Sequence, residues 1–516
     1  METPVGRALL RLTGVLLVLV ALVALVAPRP GFVEYNRWVV APTAIVAVCV
    51  AVLGTVPDAL KNRWVPVAVS VGGGALAAGL GLLLRYPYGW DARVIIEMAR
   101  ALHAGRGLSQ GDYDYLSLYP NTIPLLAIER VGVAVGAGLG VSPDAVLITL
   151  TGVCVTATLY AAHLLVVPVA GRGGALLTQL VVLGLVGVSP WVSVPYTDFY
   201  AMPFVVGGAA LACAAWRRRG WVHRMVLGSL AVGAISVAYV IKTTPAVLIV
   251  ALVMVSLARL ADYWSASRAR RALGLAVGAT VLFGLVSVAL TAGSASVAGI
   301  DRSRVDPAVT PPLVWWFANG MNEQVSATGQ VQYGTYTRDM VDAIEGRTSQ
   351  EMTHYARTYI QDRWDERGFV GTMAFYANKA AWNWGDGMFW AWGEGLDSRP
   401  GVVAPEGAVS EAVAAVNGLH GRWYSLRADL AQGLWLAVLL VAGAGLLRAP
   451  VRRETVLLAL TVLGIAAFTV AFQGRSRYLF AFVPIVVALA AMGRPRLSAD
   501  LHRRLRGRAL HRRHAG

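Results

Sequence analysis

Residues 64–102 read WVPVAVSVGGGALAAGLGLLLRYPYGWDARVIIEMARAL. The first part, 64–84, carries no charged side chain. It is long enough to cross a hydrocarbon layer about 30 Å thick. Asp91 then arrives inside an aromatic cluster. Beyond it, Ile95, Met98, Ala99 and Leu102 take up helical spacing. An apolar span that delivers a carboxylate to its mouth raises two questions: how many such spans there are, and what the acid does.

The first answer comes from composition. Of 516 residues 56% are hydrophobic and only 14% charged, where soluble domains carry about a quarter charged. Apolar runs recur at 7–27, 38–56, 64–84, 143–169, 173–190, 198–216, 222–240, 243–259, 272–292, 430–447, 454–472 and 476–492. This is the pattern of an all-α polytopic membrane protein. The first run follows a basic start with no small-residue cleavage site after it, so it is expected to stay as a span. Cys49, Cys154 and Cys213 sit inside apolar runs, which supports neither a disulfide framework nor a thiolate metal site.

The net charge of +16 is uneven. The tail 493–516 holds eight Arg against one Asp. Beside a membrane span, such a tail marks the cytoplasmic face and anionic lipid, not nucleic acid. Basic clusters also fall at the N-terminus, Lys61 and Arg63, Arg172, RRRGWVHR (217–224), SRARR (267–271) and RAPVRR (448–453). Placing them all inside predicts 12 spans with both ends cytoplasmic, provided that 121–139, which contains Glu129 and Arg130, does not cross. It predicts 13 if that stretch does. The chain then divides into a transmembrane module 1–292 with a first outer loop 85–120, and an extracytoplasmic helical segment 293–429 holding 8 of the 16 Trp. C-terminal transmembrane helices 430–492 and the basic tail 493–516 follow. The expected location is the cell membrane.

The polar residues on the outer side are few. Asp91 stands where a helix N-cap would stand, which is its local explanation. The loop GDYDYLSLYPNTIPLL (111–126) adds Tyr119 and Asn121, candidates for contact with an acceptor or sugar. Its Asp112 and Asp114 form a D-x-D pair that can hold a divalent Mg or Mn, or simply belong to a polar loop. SPWVSVPYTDFYAMPF (189–204) sets Asp198 at the start of a span, an expensive place for an unpaired acid. Lys242 in IKTTP, and Arg475 and Arg477 in QGRSRYLFAFVP (473–484), are cations on the side where cations are not expected. They either snorkel to lipid or grip a phosphate, for which an arginine fork is well shaped. ANKAAWNWGDGMFWAWGEG (377–395) offers Trp384, Asp386 and Trp390 as a sugar-stacking surface, with Lys379 and Glu394 interleaved. The alternative is an interfacial aromatic girdle.

In order, WDA (90–92), YPNTIPLL (119–126), PYTD (195–198), Lys242 and RSRYLFAFVP (475–484) resemble the GT-C superfamily. These are integral-membrane glycosyltransferases that use polyprenyl-phosphate sugars, and the likeness is to protein mannosyltransferases and lipid A aminoarabinose transferases of bacteria. The resemblance covers 60–492 through short motifs. It implies a GT-C-like bundle of 12 to 13 helices. It also implies a polyprenyl-phosphate sugar donor and a glycan, lipid or protein acceptor. By the same resemblance Asp91 is the catalytic base, Asp198 is the acid of the later outer loop, and Arg475 or Arg477 meets the donor phosphate beside Lys242. One departure is Ala92, where the family often has a second acid. Two other classes stay open: a polysaccharide polymerase or ligase using a lipid-diphosphate donor, and a lipid-linked sugar transporter. A transporter places its binding charges at the membrane midplane, whereas these lie at outer mouths.

Overall fold

With no water in a bilayer core, backbone groups must satisfy one another, and helices do this within one segment. The computed structural model, which describes residues 4–29, 32–84, 89–258, 266–325, 329–393, 406–494 and 497, is built that way. Among those residues the only strands are Glu323–Val325 and Val331–Tyr333, paired antiparallel. The tail from 498 on, and Glu394, lie outside the described residues.

Three helices come first: α1 (Pro4–Val26), α2 (Arg37–Leu53) and α3 (Val65–Leu84). Three follow that belong to the first outer segment: α4 (Trp90–His103), α5 (Gln110–Leu118) and α6 (Ile123–Leu139). Next comes α7 (Pro143–Val182), continuous except at Gly171, whose φ of 70° and ψ of 178° leave the helix. The chain reverses there. A Cβ placed on Gly73 of α3 would lie 2.7 Å from Leu159 and 3.1 Å from Leu183, two residues equally far in sequence from Gly171. The spans expected at 143–169 and 173–190 are therefore the two arms of a hairpin. Glycines let α3 sit against it closely, since a Cβ on Gly152 would meet the Gly74 carbonyl at 2.6 Å.

The membrane bundle continues with α8 (Thr197–Arg217), α9 (Trp221–Ile241), α10 (Ala246–Leu257) and α11 (Ala266–Ala298). A segment between the membrane helices follows: α12 (Leu313–Asn319), the strand pair, α13 (Arg338–Asp342), α14 (Ser349–Trp384, bent at Gly368) and α15 (Ala408–Asn417). It has a small core of its own, in which Trp315, Ala318, Met340, Ile344, Met352 and Ala356 are buried, and Leu118 and Tyr119 of the first outer segment pack against it. The bundle closes with α16 (Tyr424–Leu446), α17 (Arg453–Ala471) and α18 (Ser476–Arg494).

Contacts between helix ends sort the bundle into two faces. On one, Arg172 donates to the Lys61 carbonyl at 3.2 Å, Arg217 meets Glu454 at 3.2 Å and Arg494 donates to the carbonyls of Ala51 and Gly54. This face holds the basic loops. On the other, the Asn36 amide meets Asp429 at 2.8 Å and Ser410 donates to the Leu83 carbonyl at 2.6 Å. Among the described residues ten helices are long and apolar enough to cross a membrane, Pro120–Leu139 being one of them. Yet α3 ends and α7 begins on the same face, because a Cβ on Gly81 would meet Ile148 and the Val192 carbonyl, each at 2.7 Å. The chain between them makes no net crossing, so α6 returns to the face it left. Counting both arms of α7 and the shorter α2 and α10, twelve described segments run between the faces, and Pro4 and Arg494, the described residues that begin α1 and end α18, lie towards the basic one.

This arrangement has a direct check. In a Cys49→Ala background, Gln110→Cys and Ser142→Cys should react with a membrane-impermeant maleimide from one side of sealed vesicles. Asn62→Cys and Arg219→Cys should react only from the other. Opposite labelling of positions 110 and 142 would mean that α6 crosses.

Candidate active site

Asp198 lies in the first turn of α8, where the helix N-terminus favours an anion. It is 1% exposed. A carboxylate so buried needs partners. Lys242, which caps the end of α9, supplies one: its Nζ donates to Asp198 Oδ1 at 2.6 Å. Arg477, in the first turns of α18, supplies the other, with Nε 3.9 Å from Oδ2. Aromatic faces complete the surroundings of both cations. The Arg477 guanidinium lies 5.0 Å from the Tyr196 ring and 5.5 Å from the Tyr478 ring, and Lys242 lies 5.0 Å from Tyr478.

Tyr196 carries the arrangement across to the first outer segment. Its hydroxyl donates to Asp91 Oδ2 at 2.9 Å, and the Tyr115 hydroxyl donates to Oδ1 at 2.7 Å. Asp91 is not the N-cap of α4. That position is Gly89, and Asp91 stands one residue into the helix, after Trp90 with φ of 48°. Its carboxylate points to the two phenols, so the capping explanation is set aside. Burial first, and Asp91 next, push the Tyr115 phenol far above its ordinary range, which keeps it a donor.

The network runs on through aromatic contacts. Tyr115 and Tyr119 have ring centroids 5.0 Å apart, and the Tyr119 and Tyr336 hydroxyls are 2.8 Å apart. Burial pushes the Tyr119 phenol up to about 12. Arg475 donates to the Tyr336 carbonyl at 3.3 Å and lies 5.0 Å from the Trp390 ring. Asp91, Asp198, Lys242, Arg475, Arg477 and Tyr119 are thus connected, directly or through one tyrosine, on the face opposite the basic loops.

Other candidates are placed differently. Asn121 is exposed on the turn Pro120–Thr122. Trp384 is buried and stacks on Trp435 at 6.5 Å. Asp386 points inward and accepts four hydrogen bonds, from Tyr35, Ser476 and the amides of Met388 and Trp390. Asp112 closes a capping box with Ser109, and Asp114 accepts from Gln110, so the D-x-D pair is committed to the start of α5. Among the described residues no group of three or more His, Cys, Asp or Glu is placed to hold a metal ion. The site acids face phenols and cations, a set that does not fit Mg or Mn.

Tyr115, Tyr196, Tyr336 and Tyr478 complete the site without having stood out in sequence. Tyr196 lies two residues before Asp198, and Tyr115 follows Asp114. Both carry the ordinary signature of an interfacial aromatic. Lys379 is fully buried, and its Nζ donates to the carbonyls of Gly320 at 2.6 Å and Phe472 at 2.7 Å. It tethers the outer segment to the strand of chain that leads into Arg475.

A family model described as "Conserved hypothetical integral membrane protein" matches residues 75–497. No curated protein matches the chain. Among solved structures, the archaeal oligosaccharyltransferase AglB from Archaeoglobus fulgidus, in complex with an inhibitory peptide and a dolichol-phosphate, is similar at 13% identity and a TM-score of 0.39, over 87% of this chain and 52% of that one. An Archaeoglobus fulgidus oligosaccharyltransferase in the apo form gives 13% identity and a TM-score of 0.36 over the same shares. The chain spans roughly half the length of these proteins.

Two expectations follow from the site. Lys242→Met leaves a buried carboxylate short of its nearest cation and should destabilise the fold by about 3–5 kcal/mol. Adding Asp198→Asn should recover part of that loss, because the charge that lacks its partner is gone. Thermal unfolding in detergent measures both, and a Lys242→Met protein as stable as wild type would contradict the ion-pair account. Burial pushes Lys379 down to about 7 from an ordinary 10.5. The folded chain therefore releases this proton before the unfolded chain does. Its penalty on folding is full below pH about 7 and is relieved as pH rises from there towards 10.5. Wild-type stability should gain in that window, and Lys379→Met should remove the gain.

Proposed function

We propose that this chain, which belongs to the family described as a conserved hypothetical integral membrane protein, transfers a sugar from a polyprenyl-phosphate donor to an acceptor hydroxyl on the extracytoplasmic face of the cell membrane. Both chain ends then lie in the cytoplasm, where the basic loops face anionic lipid. One observation carries the reading. A carboxylate held by two phenols, Asp91, is joined through Tyr196 to a cation set, Lys242 and Arg477, that shares one buried acid. A base and an anion-binding group side by side are what displacement at a sugar phosphate needs.

In this mechanism the acceptor oxygen attacks the anomeric carbon. The bond from that carbon to the phosphate oxygen breaks, and its electron pair leaves with the phosphate. The acceptor's proton passes to Asp91. Direct displacement inverts the anomeric centre. Tyr115 and Tyr196 hold the carboxylate in orientation, each occupying one oxygen and leaving further lone pairs for the acceptor hydroxyl. Arg477, Arg475 and Lys242 stabilise the charge that develops on the departing phosphate, a term that is often the largest in such reactions. Asp198 anchors two of those three cations. Tyr119, against Tyr115, and Trp390, under Arg475, are candidates to contact the acceptor or sugar, with Asn121 on the exposed turn after Tyr119 as a further one.

The test is transfer by purified protein from a panel of radiolabelled polyprenyl-phosphate sugars in the presence of membrane extract, with the labelled product identified. Asp91→Asn protein that still folds should lose transfer by about 10²-fold or more, given the usual contribution of a general base. Near wild-type turnover in that variant would remove Asp91 from the role.

A further inference from the structure

We infer that Asp386 is a positioning residue for the two arginines at the start of α18. The inference rests on the phosphate-binding role proposed above for Arg475 and Arg477.

Ser476 stands between those arginines, and its hydroxyl donates to Asp386 Oδ2 at 2.6 Å. The same oxygen accepts the Trp390 amide at 2.8 Å. The Trp390 ring is the surface on which Arg475 lies, at 5.0 Å. One carboxylate oxygen therefore sets both the backbone between the arginines and the aromatic face under one of them. The other oxygen accepts from Tyr35 at 2.6 Å and from the Met388 amide at 2.9 Å.

The turn that Asp386 organises is not one the chain would choose alone. Phe389, Trp390 and Trp392 have φ of 52°, 60° and 74°, a region that residues with a Cβ avoid unless their surroundings impose it. The surroundings are specific. The Gly387 amide donates to Gln432 at 2.6 Å, Trp191 Nε1 donates to the Phe389 carbonyl at 2.8 Å, and the Trp390 ring meets Phe32 at 4.8 Å and Trp382 at 5.8 Å. The buried carboxylate and its two amide bonds close the turn, and the turn fixes the ring. An arginine fork binds two phosphate oxygens only in one orientation, so a ring that turns takes the fork out of register.

The experiment measures binding of farnesyl phosphate to detergent-purified protein by calorimetry, alongside thermal unfolding. Ser476→Ala and Asp386→Asn should each weaken binding about tenfold or more, the loss expected when charge-assisted bonds are misaligned. Tyr35→Phe removes a bond of equal length from the other oxygen of Asp386. It should lower the unfolding temperature as much as Ser476→Ala while binding farnesyl phosphate as wild type does. If Tyr35→Phe weakens binding to the same degree, or if Ser476→Ala leaves it unchanged, Asp386 does not position the arginines. Wild-type protein that fails to bind farnesyl phosphate overturns the donor assignment itself, and the positioning role falls with it.

Discussion

The carboxylate of Asp198 is the constraint on which the outer end of the bundle depends. Removing a charge from water costs several kcal/mol even after the surroundings relax. Two cations from elsewhere in the chain must therefore be brought to it, and they come from the end of α9 and the start of α18. Three helices separated by long stretches of sequence are pinned at one level. The aromatic rings on the cations follow from the same requirement, because a ring face screens a cation where water is scarce. Tyr196 serves two masters there, since its ring lies against Arg477 while its hydroxyl holds Asp91.

How much of this was legible in sequence depended on the range over which a signal acts. The alternation of apolar runs and arginine clusters is a property of neighbouring residues, and it sorted acids and cations onto one face. It also marked 121–139 as a stretch that need not cross, because Glu129 and Arg130 interrupt it. In the structure Glu129 is buried and Arg130 donates to the Ala298 carbonyl at 2.6 Å, so the interruption is used to dock α6 against α11. The break between the spans expected at 143–169 and 173–190 was legible from Arg172; what was not legible is that Gly171 alone makes the turn, because a single glycine can end one helix and begin the next without any loop composition.

The aromatic stretch 377–395 shows where local reading runs out. Alternating Trp, Asn and Asp suggests a surface for sugars, and nothing in the stretch itself tells an acid that faces a ligand from one that closes a turn. The difference lies in Tyr35 and Ser476, remote in sequence, which take up the carboxylate of Asp386. The same applies to Asp112, whose apparent pairing with Asp114 is accounted for by Ser109 at the start of α5. Asp91 shows the reverse. Its local explanation as a cap was adequate, yet the structure gives the cap position to Gly89 and points the acid at phenols supplied by α5 and by the residue that opens α8.

The hairpin of α7 limits how its two arms can move. Its arms meet at Gly171 with no polar loop between them, and Arg172 is already bonded to the Lys61 carbonyl on the basic face. No connecting segment gives one arm slack to move without the other. The two arms cannot spread apart in the membrane, and they present one joint surface against which the glycines of α3 pack.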